Sequence, residues 1–185
     1  MQRSEVPAGY QSKPHQADPT SGATQAALVG CIGGTDTTKD KTGEAHSPEY
    51  VLQRTQISSG AESFRSKKDV DADIALIRSP KASSCYQKSF IAKLTAALPS
   101  SATIKTVAFK INPHPTGQPS NVVGTGTGTI TVQTSRGTLD FHLGIAFITG
   151  GLIESEVDIF TVGAPVPAAL LSTLTKKVAG RTTTQ

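Results

Sequence analysis

Three consecutive β-type segments, Val122 to Thr134, Thr138 to Thr149 and Ile153 to Val162, most constrain what this chain can fold into. Each is rich in β-branched and aromatic residues, and only a few turn residues separate one from the next. Connections that short join antiparallel neighbours, because parallel strands need a long crossover. With side chains alternating along a strand, Leu139, Phe141, Leu143, Ile145 and Phe147 share one face. Ile153, Val157 and Ile159 share another with Ser155. A two-residue turn at Gly150-Gly151 would set Glu154 against Phe147 and put charges in the core. A three-residue turn, Thr149-Gly150-Gly151, instead pairs Ile153 with Phe147, Val157 with Leu143 and Ile159 with Phe141, which keeps the apolar set together. At Arg136-Gly137 a two-residue turn pairs Val132 with Phe141 and Ile130 with Leu143.

The flanking sequence supplies more strands and the helices to cover them. Thr103 to Asn112 alternates, with Val107, Phe109 and Ile111 on one side, and a proline-rich loop over 113–121 follows. Pro165 and Pro167 open a last helix whose Leu170, Leu171, Leu174 and Val178 form a stripe to cover the shared apolar face. Upstream, Ser66-x-x-Asp69 is a capping box, followed by Val70, Ile74 and Ile77 at helical spacing until Pro80. Tyr86, Phe90, Ile91, Leu94 and Leu98 make the stripe of a helix from about Ser84 to Leu98. Glu49 to Gln56 and Ala61 to Phe64 read as short strands around a turn at Ser58-Ser59-Gly60. Ala26 to Ile32 fits one or two helical turns before Gly33-Gly34, and Thr35 to Ser47 reads as polar loop. Residues 1–24, with Pro7, Pro14 and Pro19, read as an extended arm, 25–181 as a single domain and 182–185 as a tail. The fold class expected is α+β: an antiparallel sheet of five to six strands packed by two or three helices, the C-terminal one over the sheet.

At 185 residues the chain has room for one core. Its net charge of +4 lacks the clustered Lys/Arg stripe that nucleic-acid binding needs; Arg65-Ser66-Lys67-Lys68 runs straight into Asp69, Asp71 and Asp73. No apolar run reaches the roughly 18 residues of a membrane span. Leu28-Val29-Gly30-Cys31 has the form of a lipobox, yet Pro19 to Gln25 before it is polar and cannot insert, so an export signal would lie upstream.

Catalytic patterns are sparse. Gly124-Thr125-Gly126-Thr127-Gly128-Thr129 leads into the β-rich run Ile130 to Gln133, with no following helix or lysine to complete a phosphate loop, and reads as a strand with a close-packed neighbour. No serine lies in a G-x-S-x-G context, and His46 and His114 lack ligand spacing. The register above places His142 opposite Asp158, with Asp140, Glu154 and Glu156 nearby, a candidate metal or acid–base patch set against an ordinary solvated sheet face. Cys31 and Cys85, in no C-x-x-C motif, leave two readings open: a disulfide in an oxidising compartment or two buried thiols in a cytosolic protein.

Four segments carry a family resemblance: Ser4 to Tyr10, His46 to Tyr50, Ser79 to Ala82 leading to Cys85, and Val162 to Leu170. They resemble small exported domains of high-GC Gram-positive bacteria, secreted or lipid-anchored, and are loosely similar to the extracellular sensor domain of mycobacterial Ser/Thr kinases and to PsbP-like lipoproteins. The resemblance implies export, hence a Cys31–Cys85 disulfide, and an antiparallel sheet packed by helices. It implies no catalytic residue and no cofactor. The expectation is a monomeric extracytoplasmic module of the cell envelope that binds a small apolar ligand, lipid or partner protein, without catalysis, nucleic acid or a transmembrane segment. A metal-assisted hydrolase using His142, Asp158 and Glu156 and a ligand-free interaction scaffold are the alternatives.

Overall fold

The computed structural model describes residues 1–17 and 21–183. Its centre is one antiparallel sheet in the order β1-β3-β4-β8-β7-β6-β5, with β2 pairing separately along β4. The strands are β1 (Gln11–Lys13), β2 (Lys41–His46), β3 (Glu49–Leu52), β4 (Thr55–Phe64), β5 (Thr103–Asn112), β6 (Val122–Thr134), β7 (Gly137–Gly150) and β8 (Ile153–Val162). Helices α1 (Ser21–Ile32), α2 (Lys67–Arg78) and α3 (Ala82–Ala97) cover one face, and α4 (Ala168–Thr182) covers the other. The fold is α+β, as the strand meander and the apolar helix stripes imply.

The helices begin and end where local chemistry dictates. Ser66 and Asp69 form the expected capping box, with Ser66 N donating to Asp69 Oδ2 at 3.1 Å. Arg78 closes α2 two residues before Pro80. Gly33, at φ +85°, stops α1 in the left-handed conformation that costs glycine little. Pro167 sits immediately before α4, not within it. The side chain of Leu94 lies outside the described residues.

Two sequence expectations fail in the N-terminal half. The run Ser58-Ser59-Gly60 does not turn; it lies inside the unbroken strand β4. Ser47, in the short link between β2 and β3, serves it: Ser59 N donates to Ser47 Oγ at 3.0 Å, and Ser47 N donates to Ser59 O at 2.8 Å. The reversal comes earlier, at Gln53-Arg54, with Gln53 at φ +53°. Nor is Thr35 to Ser47 all loop, since β2 occupies its second half and lines up on β4 from Lys41↔Phe64 to His46↔Gly60. Residues 1–13 are extended but held: β1 pairs with β3, Val6 is buried in the core, and Arg181 Nε lies 3.0 Å from Glu5 Oε1.

The C-terminal hairpins keep their strands and change their register. At the β6–β7 turn the residues are Ser135-Arg136, so Val132 faces Leu139 and Ile130 faces Phe141. That is a slip of two from the expected pairing, which leaves every side chain on its expected face. The β7–β8 turn is Gly151-Leu152, and Ile153 pairs with Gly150, not with Phe147. A slip of three is odd, so it exchanges the faces of β8. Val157 now opposes Ala146, whereas Glu156 opposes Phe147 and Asp158 opposes Ile145.

The helix layers explain why this register wins. Helix α4 packs Leu174 and Val178 against Ala146, Ile148, Val157 and Ile159, on the face opposite to Phe141, Ile145 and Phe147. The small residues of β7 are on that side. A Cβ at Gly150 would lie 2.0 Å from Thr182 O, so only glycine lets the end of α4 approach this closely, and one at Gly144 would crowd Val166 Cγ1 at 3.0 Å and Leu171 Cδ2 at 3.2 Å. The large residues of β7 turn the other way, where Phe147, Ile145, Phe109 and Ile111 meet Ile77, Tyr86 and Phe90 from α2 and α3. The β6 glycines make room there: Cβ atoms at Gly124, Gly126 and Gly128 would approach Ile77, Ile145 and Phe109 to 2.6, 2.7 and 2.8 Å.

Candidate functional site

A cavity of about 660 Å³ lies between α1–α3 and the sheet face formed by β2, β4, β8 and β7. That volume is within the range of small-molecule sites. Its roof is held together covalently, because Cys31 of α1 is bonded to Cys85 of α3, with their Cα atoms 5.7 Å apart. Leu28, Val29, Ile32 and Leu76 pack round the bond and fix α1 over α2 and α3.

One wall of the cavity is apolar and aromatic. Tyr86 lies 5.6 Å from Phe109 and 5.8 Å from Phe147 between ring centroids, and Phe90 lies 5.7 Å from Phe109. Tyr86, Phe90 and Phe147 reach the cavity itself, as do Ile77 and Ile145.

The other wall is acidic, and the register of β8 puts it there. Glu154 and Glu62 are cross-strand partners on β8 and β4. Lys41 Nζ donates to the Glu62 carboxylate. Glu156 opposes Gly60, where the missing side chain leaves space: a Cβ there would be 3.4 Å from both Glu156 Oε1 and His46 Nδ1. His46 in turn pairs through Nε2 with the Glu44 carboxylate and stacks on His15 at 4.1 Å. From α2, Asp73 accepts the Thr37 hydroxyl at 2.8 Å to each carboxylate oxygen.

Burial sets the ionisation of this wall. It lifts the Glu154 carboxyl to about 9, with Asp73 and Glu62 adding repulsion that Lys41 only partly offsets. Glu154 Oε1 is buried and has no hydrogen-bond partner among the described residues. Asp73 is raised to about 6, again chiefly by burial, against the stabilising hydrogen bond from Thr37. The Tyr86 hydroxyl is pushed up as well, first by burial and then by Glu156, Asp73, Glu154 and Asp158.

The sequence-derived patch does not assemble. His142 opposes Thr161, not Asp158, and shares the α4 face with Asp140, whereas Asp158 and Glu156 lie on the face toward the cavity. His142 Nδ1 is 3.2 Å from Thr129 Oγ1, and Asp140 Oδ1 accepts from Thr131 Oγ1 at 2.7 Å. The odd slip of β8 therefore takes apart the proposed hydrolase constellation. Among the described residues, no three His, Cys, Asp or Glu side chains are arranged to hold a metal ion.

Lys41, Glu62, Asp73 and Glu154 were not found as one site from sequence. Their strongest sequence signal is the acidic alternation Glu154, Glu156, Asp158, which reads equally as a solvated face or a covered one.

No family model matches the chain, and no curated protein matches it. Among solved structures, the extracellular domain of PknH from Mycobacterium tuberculosis aligns over 95% of this chain and 83% of that one, at 9% identity and a TM-score of 0.46. The resemblance is loose. No helix among the described residues is long and apolar enough to cross a membrane.

Proposed function

We propose that this chain is an extracytoplasmic binding or sensing module, without catalysis, that takes a small ligand between its α1–α3 layer and its sheet. The observation that carries the reading is the cavity of about 660 Å³ beneath those helices. A space of that size between a sheet and a helix layer is in the range that small-molecule sites occupy. The Cys31–Cys85 bond supports the compartment, because structural disulfides persist in oxidising surroundings. The same bond ties together α1 and α3, two of the helices that roof the cavity, so the compartment and the site depend on one feature.

A neutral fluorescent probe tests the reading directly. N-phenylnaphthylamine is expected to bind the oxidised protein at one site, with enhanced emission, and to shift the amide resonances of Tyr86, Phe90 and Glu154. Ser89 lines the cavity from α3, and Ser89→Trp is expected to fill it and abolish the enhancement. No binding, or binding that shifts only resonances remote from the cavity, would overturn the proposal.

A further inference from the structure

The charge of the cavity runs against the charge of the chain. The protein carries a net +4, yet the described residues lining the cavity include the acidic Glu44, Glu62, Asp73, Glu154 and Glu156 against the basic Lys41 and His46. Gathering like charges under a helix layer costs stability, since burial disfavours each charged form and neighbouring carboxylates repel. The cost is offset when a cation enters, and a low-dielectric wall strengthens the attraction.

The shape of the site narrows the cation. A bare metal ion needs several ligand atoms converging on one point, and the described acidic and histidine side chains do not converge in that way. The acidic wall instead faces an aromatic one, with Tyr86, Phe90 and Phe147 exposed to the same space. Aromatic faces attract organic ammonium groups through their quadrupole, and their apolar area accommodates a hydrocarbon body. Glu154 lines this wall with one carboxyl oxygen buried and without a hydrogen-bond partner among the described residues, so the wall holds acidic charge that the protein itself does not compensate.

We infer that the ligand of this cavity is an amphipathic organic cation, an amine or quaternary ammonium carrying an apolar body, its charge held at the wall of Glu62, Glu154 and Glu156 and its body against Tyr86, Phe90 and Phe147. The inference rests on the binding function proposed above and adds the ligand's chemical class. The groups facing Glu154 are Glu62 of β4, Lys41 of β2, Asp73 of α2 and Glu156 of its own strand. Affinity for a quaternary cation therefore rises with pH as the carboxyls of Asp73 and then Glu154 ionise.

Displacement of N-phenylnaphthylamine from the oxidised wild-type protein by octyltrimethylammonium, octanol and octyl sulfate, each below its micelle concentration, tests the inference. The cation is expected to displace the probe at concentrations at least ten-fold lower than octanol at pH 9.5, above the Glu154 midpoint of about 9, with octyl sulfate weakest. The advantage is expected to shrink below about three-fold at pH 5 and in Glu154→Gln/Glu156→Gln. Displacement by octanol and octyltrimethylammonium at equal concentrations would overturn the cationic class and leave the cavity as a ligand site. Failure of the probe itself to bind would overturn the binding function on which the inference rests.

Discussion

Replacing Glu154 by Gln should stabilise the protein at alkaline pH and leave it nearly unchanged in acid. The Glu154 carboxyl titrates near 4.5 in the unfolded chain and near 9 in the folded one. Below pH 4.5 both states hold the proton and the residue is neutral throughout. Between the two values the folded state binds more protons than the unfolded state, so stability falls as pH rises. Each unit is worth about 1.36 kcal/mol, so by pH 8 the accumulated loss has an upper bound of about 5 kcal/mol. Water reaching the open side of the cavity screens part of this, and we expect Glu154→Gln to gain about 2–4 kcal/mol over wild type at pH 8. At pH 5 the two should agree within about 1 kcal/mol, because glutamine mimics the protonated acid. Urea unfolding followed by far-UV circular dichroism at fixed ionic strength measures both differences. A glutamine variant less stable than wild type at pH 8 would refute the reasoning, since it would mean that the charged carboxylate is favourably paired.

Other perturbations probe the packing around the cavity. Reduction of Cys31–Cys85, which closes a separation of 54 residues, should cost about 4 kcal/mol in the chain-entropy model and raise amide exchange in α1 before the sheet. Gly150→Ala should lower stability by roughly 1–3 kcal/mol in urea titrations, because its Cβ would meet Thr182 O at 2.0 Å at the end of α4. Thr37→Val removes the hydroxyl that donates to both Asp73 oxygens, so the Asp73 carboxyl should titrate above its present value of about 6 in a carboxyl-detected NMR titration.

Much of the architecture is legible in local pattern. The β5, β6 and β8 segments fall where alternation places them, and the Ser66–Asp69 box marks the start of α2. These features depend on neighbours in sequence, and local chemistry settles them. The register of β7 against β8 depends on what lies above each face, which a hairpin does not state. Keeping charges out of the core argued for pairing Ile153 with Phe147; the fold instead fits α4 over Gly144, Ala146 and Gly150 and turns Glu154 and Glu156 toward a cavity. A rule against buried charge fails where the face encloses a cavity and not a packed core. The roof was partly readable through Tyr86 and Phe90, whose helical stripe does line it. Lys41 was not, because β2 is polar and exposed along most of its length and looks like loop until β4 orders it.

The acidic wall and the cationic ligand inferred from it depend on Glu154 lying beneath the helices and not on a solvated sheet face. A carbon-13 carboxyl titration of the oxidised protein, with Glu154 assigned through Glu154→Gln, measures that placement in solution. The fold described here predicts a midpoint near 9. A midpoint near the ordinary value of 4.5 would put Glu154 in water, and would contradict both the register of β8 and the acidic wall built upon it.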